Sequence, residues 1–361
     1  MKFSVSVAVA FSASEALAQG MLRFGCSQLV IERIDPIVNP GQDPSSHTHQ
    51  VVGGNSFNIT MDPANHDPPT LSTCTSCTYS EDFSNYWTAS MYFKSPENGT
   101  YRLVPQMANY RNRNSPELLQ QKGGLTVYYM QPFGGASKTT AFKPGFRMIA
   151  GNPALRSKAG TFPGICHRCN GKAEVNGNGG VPCDSGDSSS FPTKICTGGI
   201  RATIIFPTCW DGKNLDSPDH QSHMAYAPGG QALANANCPS THPVRVPQVM
   251  YEVMWDTRPF NDPKYFQNGK QPFVYSFDDA TGHGQHGDYL FGWKGDALQR
   301  GMDALGKNGC TNDVCSTALK IQSGADAMAC TKASQSGEDV GRQGDWLTTL
   351  PGYTAGGDST M

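Results

Sequence analysis

Charge is scarce in this sequence. Asp, Glu, Lys and Arg make up 16% of the 361 residues and nearly cancel, leaving a formal net charge of -2. That balance gives no electrostatic ground for a nucleic acid or an acidic membrane surface as partner. Long apolar runs are missing as well. The strongest, residues 3–11, is interrupted by Ser4 and Ser6 and followed by Ser12, which excludes it as a membrane span. Apolar residues at helical spacing are rare before residue 295, so a helical bundle is not expected. What the chain has in plenty is 40 glycines, 25 prolines and 12 cysteines. Punctuation at that density favours many short strands joined by turns and long loops.

The chain opens with Met1-Lys2, a mildly apolar run and Ala16-Leu17-Ala18 before Gln19. A positive start, an apolar stretch and a small-x-small site together describe a secretory signal peptide over residues 1–18, and the protein is expected outside the cell or in the cell wall. All 12 cysteines follow that cut, so an oxidising compartment and up to six disulfides are expected. Cys74-x-x-Cys77 and Cys166-x-x-Cys169 suggest zinc at first sight, but the pairs stand too far apart for the usual ribbon spacing of roughly 15 to 20 residues. Asn58-Ile59-Thr60 and Asn98-Gly99-Thr100 are glycosylation sequons. No C-terminal apolar tail suggests a lipid anchor.

Strands are expected at 28–34, 91–93, 124–131, 199–207 and 242–255, the last with clear alternation from Val244 to Trp255. Residues 159–198 read as a disulfide-stapled, Gly/Ser-rich surface excursion. Leu298, Met302 and Leu305 recur at helical spacing, a second short helix is expected at 317–321, and Cys310, Cys315 and Cys330 staple this tail. The expected fold is mainly β: an antiparallel β-sandwich of jelly-roll-like form, with long disulfide-stapled loops and a short helical C-terminal tail. After the signal peptide, a β-rich core domain covers 19–295, and a helical, cysteine-stapled tail, 296–361, packs on it.

The chemistry concentrates in 209–226, which holds Asp211, Asp216 and Asp219, two imidazoles, an indole and a phenol. His47 and His49 are two residues apart, share one face of an extended segment, and so form a metal-ligand arrangement. Gly41 followed at this distance by His-x-His matches the opening of the jelly-roll signature of cupins, without the expected glutamate. Together with His220 and His286 they are the expected ligands of a divalent metal ion of unassigned identity; His220 and His223 could meet on one helical turn. A histidine-brace copper site is set aside because the mature chain would begin with Gln19. Asp219 and Asp288 are the expected acid–base pair of a glycoside hydrolase, with Asp211 as a further carboxylate. A lyase would use His223 or Tyr226 as base, with Arg147 or a metal neutralising a uronate. Trp210, Tyr226, Arg147 and Trp87 are the expected substrate contacts, the rings by stacking on sugar.

Residues 33–38 (Arg-Ile-Asp-Pro-Ile-Val), Ser46-His47-Thr48-His49, Phe206-Pro207-Thr208-Cys209-Trp210-Asp211-Gly212, Asp216-Ser217-Pro218-Asp219-His220-Gln221-Ser222-His223-Met224, Cys238-Pro239 with His242-Pro243, and His286-Gly287-Asp288 resemble the secreted fungal and actinobacterial family catalogued as domain of unknown function nineteen-ninety-six. The resemblance runs from about Val30 to about Trp293, and the tail resembles the fungal branch. Members sometimes precede a WSC carbohydrate-binding domain, which implies cell-wall or biomass polysaccharide as the setting; none is evident in these residues. The expectation is a secreted, monomeric, carbohydrate-active enzyme with a polysaccharide as substrate, a hydrolase ahead of a lyase. A non-catalytic wall-binding protein is the competing class.

Overall fold

Alternation is clearest in β14 (Gln248–Trp255). Val249, Tyr251, Val253 and Trp255 enter the main core, whereas Met250 joins a small cluster on the other face, where Glu252 accepts the Tyr128 hydroxyl. Successive residues of a strand point to opposite sides, and here each side has its own neighbours. In the computed structural model, β14 is the centre of a five-stranded antiparallel sheet ordered β1 (Met21–Cys26), β7 (Leu125–Met130), β14, β10 (Ile200–Ile205), β9 (Ile165–Cys169). The structure describes residues 20–354 apart from 108–122, 133–138, 162–163, 172–181, 229–235, 308–309, 312–313 and 343. The expected signal peptide and the glycine-rich run 176–180 lie outside the described residues.

A second five-stranded antiparallel sheet runs β2 (Val30–Glu32), β3 (His49–Gly53), β4 (Asn85–Ala89), β16 (His286–Leu290), β8 (Arg147–Gly151). Its Val52, Tyr86, Met148, Ala150 and Tyr289 meet the inward residues of the first sheet in one core. Two sheets packed face to face make the β-sandwich read from the sequence. They come very close at Gly287, where a Cβ would lie 3.0 Å from Ile204 Cδ1 and 3.3 Å from the rings of Phe206 and Tyr251. That approach lets the Tyr251 hydroxyl donate to the Asp288 carbonyl at 2.8 Å.

The outward face of the second sheet is not left to solvent. Val51, Trp87, Ile149 and Leu290 point away from the sandwich and pack under Ile34, Ile37, Phe57 and Met61 of the long 33–61 segment. Two smaller sheets complete the fold, one ordered β15 (Phe273–Tyr275), β5 (Met91–Lys94), β6 (Tyr101–Leu103), β17 (Trp346–Leu347), the other β12 (Met224–Ala225), β11 (Cys209–Trp210), β13 (Val244–Arg245). Helix is confined to α1 (Pro68–Leu71), α2 (Ala297–Ala304) and α3 (Gly324–Ala329) among the described residues, besides short 3₁₀ turns. None is long and apolar enough to cross a membrane.

All 12 cysteines pair, as Cys26–Cys77, Cys74–Cys330, Cys166–Cys183, Cys169–Cys196, Cys209–Cys238 and Cys310–Cys315. The members of each C-x-x-C pair go to different partners, as structural disulfides allow and zinc thiolates do not. Two local expectations are corrected. The 159–198 excursion supplies β9, an edge strand of the first sheet, because Ile165 turns into the core while its neighbours pair with β10. Residues 317–321 turn instead of coiling, and α3 starts later, where the Ser323 side chain accepts the Asp326 N–H. The short helical tail carries α2, whose Leu298 and Met302 enter the main core, and α3, and its β17 extends a sheet by pairing with β6.

Candidate metal centre

Strand register assembles the histidines. His49 lies opposite Ala89, and Gly287 lies opposite Thr88 on the other side of β4, so one step along the ladder His286 also faces Ala89. Directly opposed residues share a sheet face, and the small Ala89 between them leaves room for both rings. His47, two residues before His49, completes the group. Its ring centroid is 4.2 Å from that of His49 and 5.0 Å from that of His286, and its Nε2 stands 3.1 Å from His286 Nε2. One nitrogen from each of the three falls within 4.8 Å of the others.

These imidazoles are buried and neutral. Burial pushes His49 down to about 3 and His286 down to about 4, and burial with the neighbouring His49 and His286 holds His47 well below the usual range. The Gly284 carbonyl lies 2.9 Å from His286 Nδ1, so that nitrogen carries the proton and the Nε2 lone pair points at the cluster. His47 Nδ1 is held by the Ser46 hydroxyl at 2.8 Å. Neither nitrogen of His49 makes a well-formed hydrogen bond among the described residues, the Ile34 backbone acting on it only weakly, although the ring is wholly buried. A ring nitrogen held from behind in His47 and His286, with their Nε2 atoms facing each other in front, is an arrangement that an imidazole metal site uses.

Two carboxyl groups stand beside the cluster. Asp288 shares the outward face with His286 and lies opposite Trp87 and Ile149; both its oxygens are buried and lack a partner among the described residues. Burial first, and the charge of Asp35 second, push it well above the ordinary carboxyl range. Asp35 is also raised by burial, against the Ile37 and Val38 N–H groups that its Oδ1 accepts at 3.0 Å. Asp35 was not among the residues expected from the sequence. The available signal was its place in the Arg33–Val38 motif, between a strand and a turn.

The opposite wall comes from the chemistry-rich loop. It zips onto the edge strand β8: Arg147 N–H donates to Leu215 O at 3.0 Å, Ile149 N–H to His220 O at 2.9 Å, and the Gln221 side-chain amide to Gly151 O at 3.2 Å. Because β8 neighbours β16, this docking brings His220 to the cleft that His286 and Asp288 line. His220 does not join the three-histidine cluster. Its Nδ1 contacts Asp216 at 2.8 Å, and that partner raises its pKa. Asp219 lines the rim and stays ionised, held below the usual range by the Ser222 N–H first and then by Ser217 and Gln221. The cleft measures about 590 Å³, and Val38, Pro153, Phe277 and Tyr353 give it apolar surface beside Ser46, Gln221 and Arg156.

Several expected site residues stand elsewhere. Asp211 accepts the Lys213 and Asn214 N–H groups and shapes a turn outside the cleft. His223 is buried behind the loop, its Nε2 on the Arg147 carbonyl and its Nδ1 on Ser217; no helical turn joins it to His220, which has φ 55°. Arg147 turns away, donating to Met61 O at 2.9 Å. Trp87 is 0% exposed beneath the 33–61 segment and offers no stacking face, and Trp210, 3% exposed, donates to Asn214 O. The Tyr226 hydroxyl donates to Ile205 O, outside the cleft lining. In each case a strand or turn needs the polar atom or the apolar area for itself.

A family model described as Domain of unknown function (DUF1996) matches residues 35–293. No curated protein matches the chain, and no solved structure does.

Proposed function

The chain belongs to the family described as Domain of unknown function (DUF1996), whose description names no reaction, and we propose from the chemistry of its cleft that the protein is a secreted, metal-dependent hydrolase of polysaccharide. The observation that carries this reading is the group His47, His49 and His286: three buried imidazoles with converging nitrogens, two of which, His47 and His286, line the cleft while His49 lies buried behind them. Three neutral imidazoles suit zinc or another imidazole-preferring divalent ion and leave coordination positions open. Such an ion, when bound, polarises water or a substrate oxygen. Asp288 and Asp35 stand next to it to accept and return protons. The mixed wall of rings and polar groups around Tyr353, Phe277, Ser46 and Gln221 suits a sugar, which presents apolar C–H faces and hydroxyls together.

One specific feature favours a second reading, a metal-free glycoside hydrolase. Asp219 is held below the ordinary carboxyl range and Asp288 is pushed well above it in the same cleft, and two carboxyls displaced in opposite directions are the acid–base signature of that chemistry. Elemental analysis of the purified protein, followed by mass spectrometry of products from fungal, plant and bacterial polysaccharides, decides between them. The metal reading expects about one equivalent of a divalent transition ion and oligosaccharides carrying added water. A chelator should abolish the products, and H49A should weaken metal binding by more than the ~10- to 100-fold typical of losing an outer-shell partner. Activity without metal that D219N removes would establish the two-carboxylate reading instead. Unsaturated ends would point to a lyase, and pull-down by an insoluble glycan without products to a binding protein.

A further inference from the structure

We infer that His220 is the general acid of the cleft and that Asp216 is its positioning residue; this rests on the hydrolase reading above. Three observations point there. The Asp216 carboxylate holds His220 Nδ1 at 2.8 Å, leaving Nε2 with no hydrogen bond among the described residues and the half-buried ring in the cleft lining. A carboxylate behind one nitrogen and a reactant in front of the other is how an acid–base imidazole is oriented. The backbone of His220 is left-handed, with φ 55°, and its carbonyl accepts the Ile149 N–H. A side chain other than glycine held in that region calls for a reason, and here the turn places the ring in the cleft lining it shares with Asp35 and Asp288, where it feels the charge of Asp35. The loop, finally, is anchored on β8 at three points by groups other than the imidazole, so the ring is not needed to dock it.

In the step this assigns, His220 Nε2–H gives its proton to the departing glycosidic oxygen as the C–O bond breaks. The oxygen of one water bonds to the anomeric carbon, and that water's proton passes to solvent. The proton then returns through solvent to His220, so that one water is consumed and two hydroxyl ends are produced.

The test compares natural and activated leaving groups. Wild type, H220Q, H220A and D216N are assayed on laminarin, xylan, mannan and chitosan, and on 2,4-dinitrophenyl glycosides, whose leaving group needs no proton. The expected result is a loss of about 100-fold or more for H220Q on polysaccharide, with little loss on the dinitrophenyl substrates. Imidazole should rescue H220A, and D216N should show a smaller loss with the same selectivity. Metal content and melting temperature stay as in wild type. Equal loss on both substrate classes without rescue makes His220 a loop tether and overturns the inference, as does loss of metal from H220Q, which would make it a ligand. Unchanged activity in H220Q with an active wild type overturns this inference alone. A wild type inactive on every substrate overturns it together with the hydrolase reading.

Discussion

His49 shows what single residues cost in this fold. A fully buried imidazole without a well-formed hydrogen bond is expensive. The same burial makes stability depend on pH. His47, His49 and His286 have folded pKa values below the ordinary 6.5, so the unfolded chain takes up protons first as pH falls, and their contribution is lost between about 6.5 and about 3. Asp288 acts in the opposite sense. Its raised folded pKa means that its contribution is present below the ordinary carboxyl value near 3.8 and is lost as pH rises through the folded value. In the presence of chelator, D288N should therefore melt higher than wild type at pH 7.5, with the gain shrinking toward pH 4. A scan of melting temperature against pH checks this, and a gain that persists unchanged at pH 4 counts against a protonation origin.

At the scale of elements, β16 does two jobs at once. Its outward residues His286 and Asp288 build the site, while Gly287 and Tyr289 between them seat the strand on the other sheet. Gly287→Val would place atoms within 3.0 Å of Ile204 and against the Tyr251 ring that anchors the Asp288 carbonyl. Overpacking of this kind costs about 1–3 kcal/mol. Denaturant unfolding should show that loss, and metal affinity should fall with it, because the strand carrying His286 has to shift. Undiminished affinity would mean that the outward face tolerates movement of its own backbone. β8 has an analogous position, with β16 on one side and the 215–223 loop on the other.

Across the whole molecule, the tail is part of the fold. Cys74–Cys330 spans 256 residues, Leu298 and Met302 fill the main core, and β17 extends a sheet. Under the chain-entropy model a bridge over so long a loop contributes on the order of 5 kcal/mol. The double variant C74S/C330S should lower the melting temperature by many degrees, and limited proteolysis should then cut the tail first. A melting temperature within two or three degrees of wild type, a tolerance of roughly 1 kcal/mol or less, would show that the packing of α2 and β17 suffices.

Residue chemistry was legible in the chain alone wherever it depends on near neighbours. The alternation in β14, the shared face of His47 and His49, the helical spacing of Leu298 and Met302, and an oxidising framework of 12 cysteines all express local periodicity or composition. The identity of the groups sharing the cleft depends on strand order, which no local pattern encodes. β4 intervenes between β3 and β16, so Ala89 spaces His49 from His286; β8 carries the loop that delivers His220. The same placement separated Asp211, His223 and Trp210 from residues a few positions away in sequence, since a turn or a strand edge claimed their polar atoms. It also brought in Asp35, a residue with ordinary local surroundings. The centre lies on the outward face of one sheet, under a covering segment, rather than inside the sandwich as a jelly-roll signature suggests. The inward face is filled by Tyr86, Tyr289 and their partners in one close-packed core.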